Sequence, residues 1–406
     1  MTPQGDAIRD QFPSIRDEFP ALREGAAHFD APGGSLIPTV VAEAVRGTLE
    51  SAVCQRGSIT IAERRTDDIV LAARRAVADL LGAAPGGVVF GRSMTQLTFD
   101  FSRTLAQSWR AGDEIVVSRL DHDANIRPWL YAAKSAGVEV RWAEFDPATS
   151  EITVEDVEKH LSDHTRLVAI TAASNLIGTR PPIKEIAEKA HERGALLYVD
   201  GVHNTAHAFV DVTYMGADFY TCSPYKFCGP HCGVMVASPA LLETLTPDKL
   251  LPSVNSVPER FELGTLPYEL MAGTTATVDF LAGLGGPSSS SRRARLEGSM
   301  AAMGKHEDEL RGIIEGGLAE HPRITVYSRA QLRTPTLLFT VDGMEPREVS
   351  ARLGLYNINA PAGNFYALEA SRRLGLGEDG GIRLGLAPYS STDDVDRLLE
   401  ALRIII

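Results

Sequence analysis

An apolar run that ends in a carboxylate and is followed by a lysine constrains this chain more than any other feature. The run covers 196–200 and ends at Asp200, and Lys226 follows twenty-six residues later in a turn rich in Pro, Gly and Cys. In open α/β sheets, ligands bind beyond the carboxyl ends of the strands, where Asp200 would stand. An aldehyde cofactor held on lysine as a Schiff base, with an Asp facing its pyridine nitrogen, uses both residue types. The pair therefore predicts pyridoxal phosphate (PLP), with Lys226 and Asp200 as catalytic and cofactor-binding residues.

Alternating elements along the chain predict the fold class. Helices are expected at 67–81, at 127–136 and between Ile183 and Ala190. Short apolar segments that predict strands lie at 88–90, 114–118, 138–145, 167–172 and up to Asp200. Strands that alternate with helices of about ten to fifteen residues indicate an α/β fold with a doubly wound, mostly parallel sheet.

The last third of the chain predicts a smaller α+β domain. It contains a long polar helix, strands near 336–341 and 382–385, and a final helix. A Gly- and Ser-rich segment at 283–291 precedes it and is typical of a flexible connection. We therefore expect an N-terminal arm at 1–29 that packs with the small domain, a large PLP-binding domain at 30–285 and a small domain at 286–406.

Composition limits the classes of partner. The 406 residues have a formal net charge of −13, which argues against nucleic acid or an anionic membrane as the main partner. Four cysteines give no disulfide framework and suit a reducing cytosol. Residues 1–19 lack a hydrophobic signal core, and no apolar run approaches the ~18 residues that span a bilayer. We expect a soluble, cytoplasmic protein whose partner is a small-molecule substrate.

Two places predict contacts with the cofactor phosphate. Thr95 and Gln96 open a helix after a small polar turn, and a helix N-terminus attracts anions. The segment 86–93 imitates a nucleotide-binding loop, but Arg92 replaces the lysine and the strand lies inside the motif, so we reject that interpretation. Ser223 is a further candidate. Its alternative role as the serine of an S-x-x-K acyl-enzyme lacks the companion motifs.

Three other sites are candidates for contacts with the ring or the substrate. His122 follows a strand and is predicted to stack on the cofactor ring, unless it is only a polar loop residue. Arg383 lies on an apolar strand, where a guanidinium would bind a substrate carboxylate in bidentate fashion or form a structural salt bridge. The glycines 33 and 34 let the backbone approach a ligand closely, which makes Gly34 a substrate-binding candidate.

Metal binding is not predicted. His203 and His207 have zinc-ligand spacing, but the glutamate of H-E-x-x-H is missing. Cys228, His231 and Cys232 have no second cluster that would complete four ligands. The histidines and cysteines are therefore assigned to the cofactor site or to packing.

The separated motifs, taken in order, resemble a known family. The segments 199–203 (VDGVH), 218–226 (DFYTCSPYK) and 229–230 (GP) resemble class V aminotransferases of PLP fold type I. More narrowly, they are similar to the cysteine desulfurase and selenocysteine lyase branch. The likeness runs from about Phe29 to Leu398.

The resemblance implies roles for further residues. The segment 121–129 resembles the one that carries the ring-stacking histidine, here His122, and Asn175 matches the asparagine near the cofactor's phenolic oxygen. Arg383 falls at the carboxylate-binding arginine. The stretch 261–265 resembles one that lends a threonine, here Thr265, to the phosphate of the neighbouring subunit. The resemblance thus implies a homodimer with shared active sites.

Departures from the family pattern bear on the reaction. His203 stands where many relatives have a cofactor-binding glutamine, and Gln55 stands where some have a histidine. Desulfurases carry a catalytic cysteine on a small-domain loop that here reads APAGNFYA at 360–367, with Asn364 as a substrate-binding candidate. All four cysteines, at 54, 222, 228 and 232, are better explained as structural residues.

These departures predict a PLP-dependent lyase that breaks a C–S bond of cysteine or an S-substituted cysteine by β-elimination, without a catalytic cysteine. Alternatives on the same scaffold are an aminotransferase, an epimerase, a decarboxylating enzyme, or a desulfurase that uses another cysteine. From a different class, a binding or regulatory module with a degenerate site is also open. The intact Lys226, Asp200, Asn175 and Arg383 argue against it.

Overall fold

A computed structural model describes residues 15–285 and 291–406. The strands are β1 (Ala27–His28), β2 (Val88–Gly91), β3 (Glu114–Ser118), β4 (Glu139–Ala143), β5 (Thr165–Thr171), β6 (Leu196–Asp200), β7 (Phe219–Cys222), β8 (Gly233–Ala237), β9 (Ile324–Val326), β10 (Thr336–Val341), β11 (Ile358–Asn359), β12 (Ala362–Gly363) and β13 (Gly381–Gly385).

The α-helices, short 3₁₀ turns aside, are α1 (Thr39–Leu49), α2 (Ile61–Leu81), α3 (Met94–Ala106), α4 (Arg127–Ala136), α5 (Val154–Glu158), α6 (Ile183–Glu192), α7 (Val212–Met215), α8 (Pro239–Glu243), α9 (Tyr268–Gly283), α10 (Arg292–Ala319), α11 (Pro346–Gly354), α12 (Leu368–Arg373) and α13 (Thr392–Ile405).

The large sheet has seven strands in the order β2-β8-β7-β6-β5-β3-β4. All pairs are parallel except those of β8, which runs antiparallel to both β2 and β7. The predicted doubly wound, mostly parallel α/β sheet is thereby confirmed. Parallel strands place their carboxyl ends at one edge, so the residues after β3, β5, β6 and β7 meet there.

Side chains that alternate along the strands bury both faces of this sheet. Val116 and Val168 pack on the side of α2, α6 and α9, whereas Ile115 and Leu167 pack on the side of α3 and α4. The result is a three-layer arrangement of helix, sheet and helix, as expected for strands buried on both faces.

The C-terminal part forms a second, smaller unit. A four-stranded antiparallel sheet in the order β12-β13-β10-β9 shares a separate core with α10, α11 and α13. The described part of the N-terminal arm joins it, because β1 pairs in parallel with β11 and Asp30 bridges to Gly385. The Arg16 guanidinium also contacts the Asp394 carboxylate at 2.7 Å.

Several predicted elements are confirmed and a few are wrong in extent. Observed and predicted ranges coincide at 114–118, 127–136 and 336–341. The helix predicted at 67–81 begins earlier, at Ile61, because Thr60 and Glu63 form a capping box. The strand predicted at 138–145 is shorter, at 139–143, and β7 and β8 were not predicted as strands. The central part of the predicted connection, 286–290, and residues 1–14 of the arm lie outside the described residues. Within the described ranges, no helix combines the length and apolar character needed to cross a bilayer.

Candidate active site

A cavity of about 670 Å³ lies where the carboxyl ends of the large-sheet strands meet the small domain. Its large-domain wall comes from the ends of β5, β6 and β7, and its small-domain wall comes from Phe365, Tyr366 and Arg383. The structure brings eight of the predicted site residues together around this cavity: Thr95, His122, Asn175, Asp200, His203, Ser223, Lys226 and Arg383.

Lys226 ends a short 3₁₀ turn, Pro224–Lys226, that follows β7. Its Nζ donates to the carbonyl oxygens of Pro32 at 2.5 Å and Gly33 at 3.0 Å, and it lies 4.6 Å above the Tyr225 ring. Burial, together with the nearby Arg383 guanidinium, lowers the pKa of Lys226 to about 8. The amine therefore reaches its neutral, nucleophilic form much closer to neutral pH than an ordinary lysine does.

Asp200 is buried at the end of β6 and faces the same cavity. Its Oδ1 accepts a hydrogen bond from the Val202 amide at 2.9 Å. Burial raises the pKa of Asp200 to about 6, although the hydrogen bond from the Val202 amide and the charge of Lys226 oppose this rise. A carboxylate with few protein donors in such a setting gains most from a cationic N–H partner.

His122 is held as a neutral imidazole in a defined tautomer. Its Nδ1 accepts from the Ala124 amide at 3.0 Å, so the ring proton resides on Nε2. Burial lowers the pKa of His122 to about 4. The ring lies 5.6 Å from the Tyr366 ring, centroid to centroid, and both rings line the cavity. An uncharged, fixed ring suits stacking on a planar ligand.

The N-terminus of α3 forms an anion-binding corner. Ser93 caps the helix by accepting from the Gln96 amide at 3.1 Å, and Ser93 and Thr95 line the cavity with Ser223. β8 approaches this turn so closely that a Cβ at Gly233 would lie 2.2 Å from the Ser93 carbonyl carbon, so only glycine fits there. Exposed backbone amides and hydroxyls at a helix start are suited to a phosphate.

Gln96 lies outside the cavity lining, although it was predicted to bind the phosphate. Its Oε1 accepts from the Arg92 amide at 3.0 Å, and its Nε2 contacts Asp100. The side chain therefore closes its own helix turn. The phosphate-binding prediction for Gln96 rests only on its position at the helix start.

Arg383 is buried on β13, and protein groups already hold its guanidinium. Nη2 donates to Asp30 Oδ1 at 2.7 Å, and Nη1 donates to the main-chain carbonyl oxygen of Asn175 at 3.1 Å. The centre of the Phe365 ring lies 3.7 Å from the guanidinium carbon. Burial lowers the pKa of Arg383, and Asp30 opposes that shift. The guanidinium thus forms a buried ion pair, one of the two roles considered from the sequence, and it lines the cavity. The carboxylate-binding role stays a prediction.

The segment at 364–366 takes an unusual backbone course. Phe365 and Tyr366 have φ of 52° and 60°, a left-handed conformation that costs side-chain-bearing residues about 1–2 kcal/mol each. Hydrogen bonds from Asn175 Nδ2 to the Phe365 carbonyl, at 2.9 Å, and from the Asp123 amide to the Tyr366 carbonyl, at 2.7 Å, hold this course. Both rings consequently line the cavity.

Three other predicted residues do not line the cavity. Asn364 Nδ2 donates to the Glu378 carbonyl at 2.8 Å, which stabilises the turn instead. Gly34 is outside the cavity lining and a Cβ at this position would lie 3.4 Å from the Tyr225 ring, whereas its neighbour Gly33 lines the cavity. Thr265 is exposed on the surface of the single chain.

Sequence reasoning missed Asp30, the partner of Arg383. In its segment, HFDAPGG, only the paired glycines carry a recognisable sequence signal. Phe99 and Tyr131, whose rings stack at 6.3 Å at the mouth of the cavity, were also missed. Nothing in the local pattern distinguishes them from ordinary helix residues.

The cysteines stand apart from the cavity. Cys222, Cys228 and Cys232 are buried, and burial raises the pKa of the Cys232 thiol to about 11 and that of Cys228 to about 12. Cys54 is exposed. Across residues 15–285 and 291–406, no group of His, Cys, Asp and Glu side chains is arranged to hold a metal ion.

Two buried polar atoms on the cavity residues lack a protein partner. Among the described residues, neither Asn175 Oδ1 nor Arg383 Nε has a hydrogen-bond partner. Buried polar groups in folded proteins are nearly always paired, so these atoms indicate a polar occupant. With a lysine amine, a carboxylate and an anion-binding corner around one cavity, the site fits PLP.

Comparison with known proteins agrees with this fit. The sequence profile of the family described as Aminotransferase class-V matches residues 27–398. An uncharacterised protein of Mycobacterium tuberculosis is 33% identical over 385 residues, covering 93% of this chain and 95% of that protein. A probable cysteine desulfurase of Pseudomonas aeruginosa is 30% identical over 393 residues, covering 93% of each chain.

The fold also matches a solved enzyme. The crystal structure of the cysteine desulfurase CsdA from Escherichia coli superimposes with a TM-score of 0.85 and 26% identity, covering 96% of this chain and 97% of that one. A structure named for a glycine covalently linked to its PLP cofactor is 20% identical with a TM-score of 0.78, and it supports the fold alone. The chain therefore belongs to the class V aminotransferase family, as a PLP-dependent, cysteine desulfurase-like enzyme.

Proposed function

We propose that this enzyme is a lyase that breaks the C–S bond of cysteine or an S-substituted cysteine by β-elimination, without a cysteine nucleophile. One observation carries the proposal. All four cysteines belong to the described residues, and none of them lines the cavity. At the loop where the resemblance implies a desulfurase cysteine, the rings of Phe365 and Tyr366 face the cavity instead.

The chemistry of the thiols supports the same conclusion. A desulfurase attacks the substrate sulfur with a thiolate, which requires an exposed, electropositive setting. Burial raises the pKa of Cys228 and Cys232, which disfavours their thiolate forms at neutral pH. Cys54 is exposed but lies outside the cavity lining.

PLP, when bound, draws electrons from the Cα of an amino acid and so makes its proton removable. The buried Asp200 is suited to keep the pyridine nitrogen protonated, and Arg383 is suited to hold the substrate carboxylate. Lys226 has a pKa of about 8 and is suited to accept the Cα proton near neutral pH. His122 presents a neutral ring to the cofactor face.

Elimination balances with these groups, the cofactor and one water molecule. Lys226 Nζ takes the Cα proton, the Cβ–S bond breaks, and the sulfur leaves with the bonding electron pair as a thiol or sulfide after protonation. Hydrolysis of the remaining fragment gives ammonia and a keto acid. No external oxidant or reductant is required.

Replacing the four cysteines by alanine or serine, singly and together, tests the proposal. We expect every folded, PLP-loaded variant to keep releasing keto acid and sulfur at close to the wild-type rate. A complete loss of turnover in one of them, or a persulfide on the wild-type protein after cysteine treatment, would restore the desulfurase interpretation.

Attachment of the cofactor is tested separately. Borohydride reduction followed by peptide mapping should find the pyridoxyl group on Lys226. A label on Lys134 or Lys184 would contradict this assignment, whatever reaction the enzyme catalyses.

We further propose a homodimer with shared active sites. Two surface segments of the single chain expose large apolar side chains, Leu250 and Leu251 at 70% and 96% and Ile59 and Ile61 at 84% and 70%, which suggests a covered face. Thr265 is exposed, as a residue that serves a partner's site must be.

Mixing Lys226→Ala with Thr265→Ala subunits should raise activity above the mean of the two parent variants. A fully active monomer in light scattering would exclude the dimer.

A further inference from the structure

His203 departs from the glutamine found in many relatives, and its surroundings assign it a defined hydrogen-bonding role. The residue is buried, lines the cavity and follows the strand end that carries Asp200. Its Nε2 lies 2.9 Å from Thr334 Oγ1 and 2.8 Å from Thr336 Oγ1. Both hydroxyls are buried in the small domain. The ring therefore connects the cavity with the edge of the small-domain sheet.

The two threonine hydroxyls each carry one proton that needs an acceptor. Among the described residues, the Thr336 hydroxyl contacts, besides His203, only the Thr334 hydroxyl, at 3.3 Å, and Thr334 Oγ1 lies 3.4 Å from the Gly178 carbonyl oxygen. Both of these contacts are longer than an ordinary O–H···O bond of about 2.5–3.0 Å. Nε2 makes the short contacts, and its one lone pair accepts one hydroxyl proton while the other proton takes one of the longer contacts. The geometry therefore favours Nε2 as an acceptor.

An accepting Nε2 fixes the other ring nitrogen as the donor. Burial, with His207, Arg383 and Lys226 nearby, lowers the pKa of His203 well below that of free imidazole, so the ring is neutral and holds one proton. Nδ1 has no hydrogen-bond partner among the described residues, and the neighbouring His207 touches the ring by an edge contact at 4.9 Å. His207 itself pairs with Glu307 at 2.9 Å and is not a competing partner.

We propose that Thr334 and Thr336 hold His203 as its Nδ1–H tautomer, so that His203 donates a hydrogen bond to an oxygen acceptor of the bound cofactor. The threonines are positioning residues, since they act through His203. The role does not depend on which substrate bond is broken, so it stands apart from the lyase proposal. It also makes the acidity of the bound cofactor depend on a contact across the domain boundary.

The tautomer is directly measurable in the cofactor-free protein. Long-range ¹H–¹⁵N spectra of ¹⁵N-histidine-labelled protein distinguish Nδ1–H from Nε2–H, and His203→Gln identifies the signals of this residue. We expect the Nδ1–H pattern in the wild type. In Thr334→Val/Thr336→Val we expect the Nδ1–H preference to fall about fivefold, because Nε2 loses the one hydroxyl hydrogen bond, of about 1 kcal/mol, that its lone pair accepts. An Nε2–H pattern in the wild type would overturn the proposal.

The PLP-loaded protein gives an independent readout. A donor to an anionic oxygen of the cofactor lowers the pH at which its lysine linkage loses a proton. The midpoint of the absorption change with pH should therefore rise by about one unit in His203→Ala and in the double valine variant. Thr334→Ser/Thr336→Ser and His203→Gln each keep a donor and should keep the midpoint.

A control separates positioning from packing. Thr340→Val alters the same strand, and its hydroxyl contacts Tyr327 rather than His203. It should leave both the tautomer and the midpoint unchanged. If the double valine variant loses stability but keeps the wild-type midpoint, the threonines have only a structural role and the proposal fails.

Discussion

Asp121 is a buried carboxylic acid that directly precedes His122, the residue predicted to stack on the cofactor ring. Its Oδ1 accepts from Asn125 Nδ2 at 2.7 Å, and the Ser118 hydroxyl contacts its other oxygen. Burial raises the pKa of Asp121 to about 8. At neutral pH the folded protein therefore holds a proton that the unfolded chain, with an ordinary Asp pKa of about 4, has lost.

The sign of the resulting pH dependence follows from this difference. Because the folded state binds the extra proton, the contribution of Asp121 to stability is complete below pH 4 and is lost as pH rises toward 8. Asp121→Asn mimics the protonated acid. We expect the stability of the variant relative to wild type to grow by up to about 1.4 kcal/mol per pH unit over that window. Denaturant unfolding of the cofactor-free proteins at several pH values measures this.

The exposed Asp163→Asn provides the control for Asp121, because its side chain is 86% accessible. It should leave the pH profile of unfolding unchanged. A constant stability difference between Asp121→Asn and wild type across the window would contradict the raised pKa.

Arg383 gives a second prediction at the scale of a single residue, because its proposed role depends on one planar guanidinium group. Lysine keeps the charge but cannot donate to Asp30 and the Asn175 carbonyl together while it lies against Phe365. We expect Arg383→Lys to lower kcat/KM for amino-acid substrates about tenfold, or ~1.4 kcal/mol. Steady-state kinetics measure the loss. Arg373→Lys, which changes a pair with Glu144 outside the cavity lining, should behave as wild type. Unchanged kinetics in Arg383→Lys would refute the carboxylate-binding role.

At the scale of the element, the segment at 364–366 stores backbone strain. Tyr366 has φ of 60° and is 75% exposed, so its side chain gains little burial in return. Glycine adopts this conformation freely, whereas alanine does not. We expect Tyr366→Gly to be about 1 kcal/mol more stable than Tyr366→Ala in thermal or denaturant unfolding. A more stable alanine variant would show that the left-handed course is not maintained in solution.

Elements whose signal is local could be predicted from the sequence, and contacts between distant elements could not. The strand that ends at Asp200 and the turn that carries Lys226 each have a short, recognisable pattern. The pairing of Asp30 with Arg383 spans 353 residues and depends on how β1 and β13 meet. The Gln96 side chain contacts Asp100 instead of lining the cavity. Its position at the helix start does not decide between these two directions.

At the scale of the whole molecule, Glu369 forms ion pairs that connect the small domain to the large one. Its carboxylate accepts from Arg119 Nη1 at 2.7 Å and from Arg127 Nη2 at 2.6 Å. We expect Glu369→Gln to speed hydrogen exchange of the backbone amides of residues 364–373 severalfold, because a neutral glutamine side chain cannot form the ion pairs with Arg119 and Arg127. Exchange measured by mass spectrometry tests this. Glu378→Gln, which alters an exposed pair with Arg372, should show no change. Equal exchange in Glu369→Gln and wild type would show that the ion pairs do not hold the segment closed.

The pairing of Asp30 with Arg383 also has a consequence for biosynthesis. The residues proposed to hold the cofactor, from Thr95 to Lys226, leave the ribosome long before Arg383 does. Asp30 precedes Arg383 by 353 residues, so it obtains its cationic partner only when β13 is synthesised. Until then, the nascent chain contains the proposed cofactor-binding residues but lacks the arginine proposed to bind the substrate carboxylate. If Arg383 binds the substrate carboxylate as proposed, recognition of an amino acid has to await the synthesis of β13, however early the cofactor arrives.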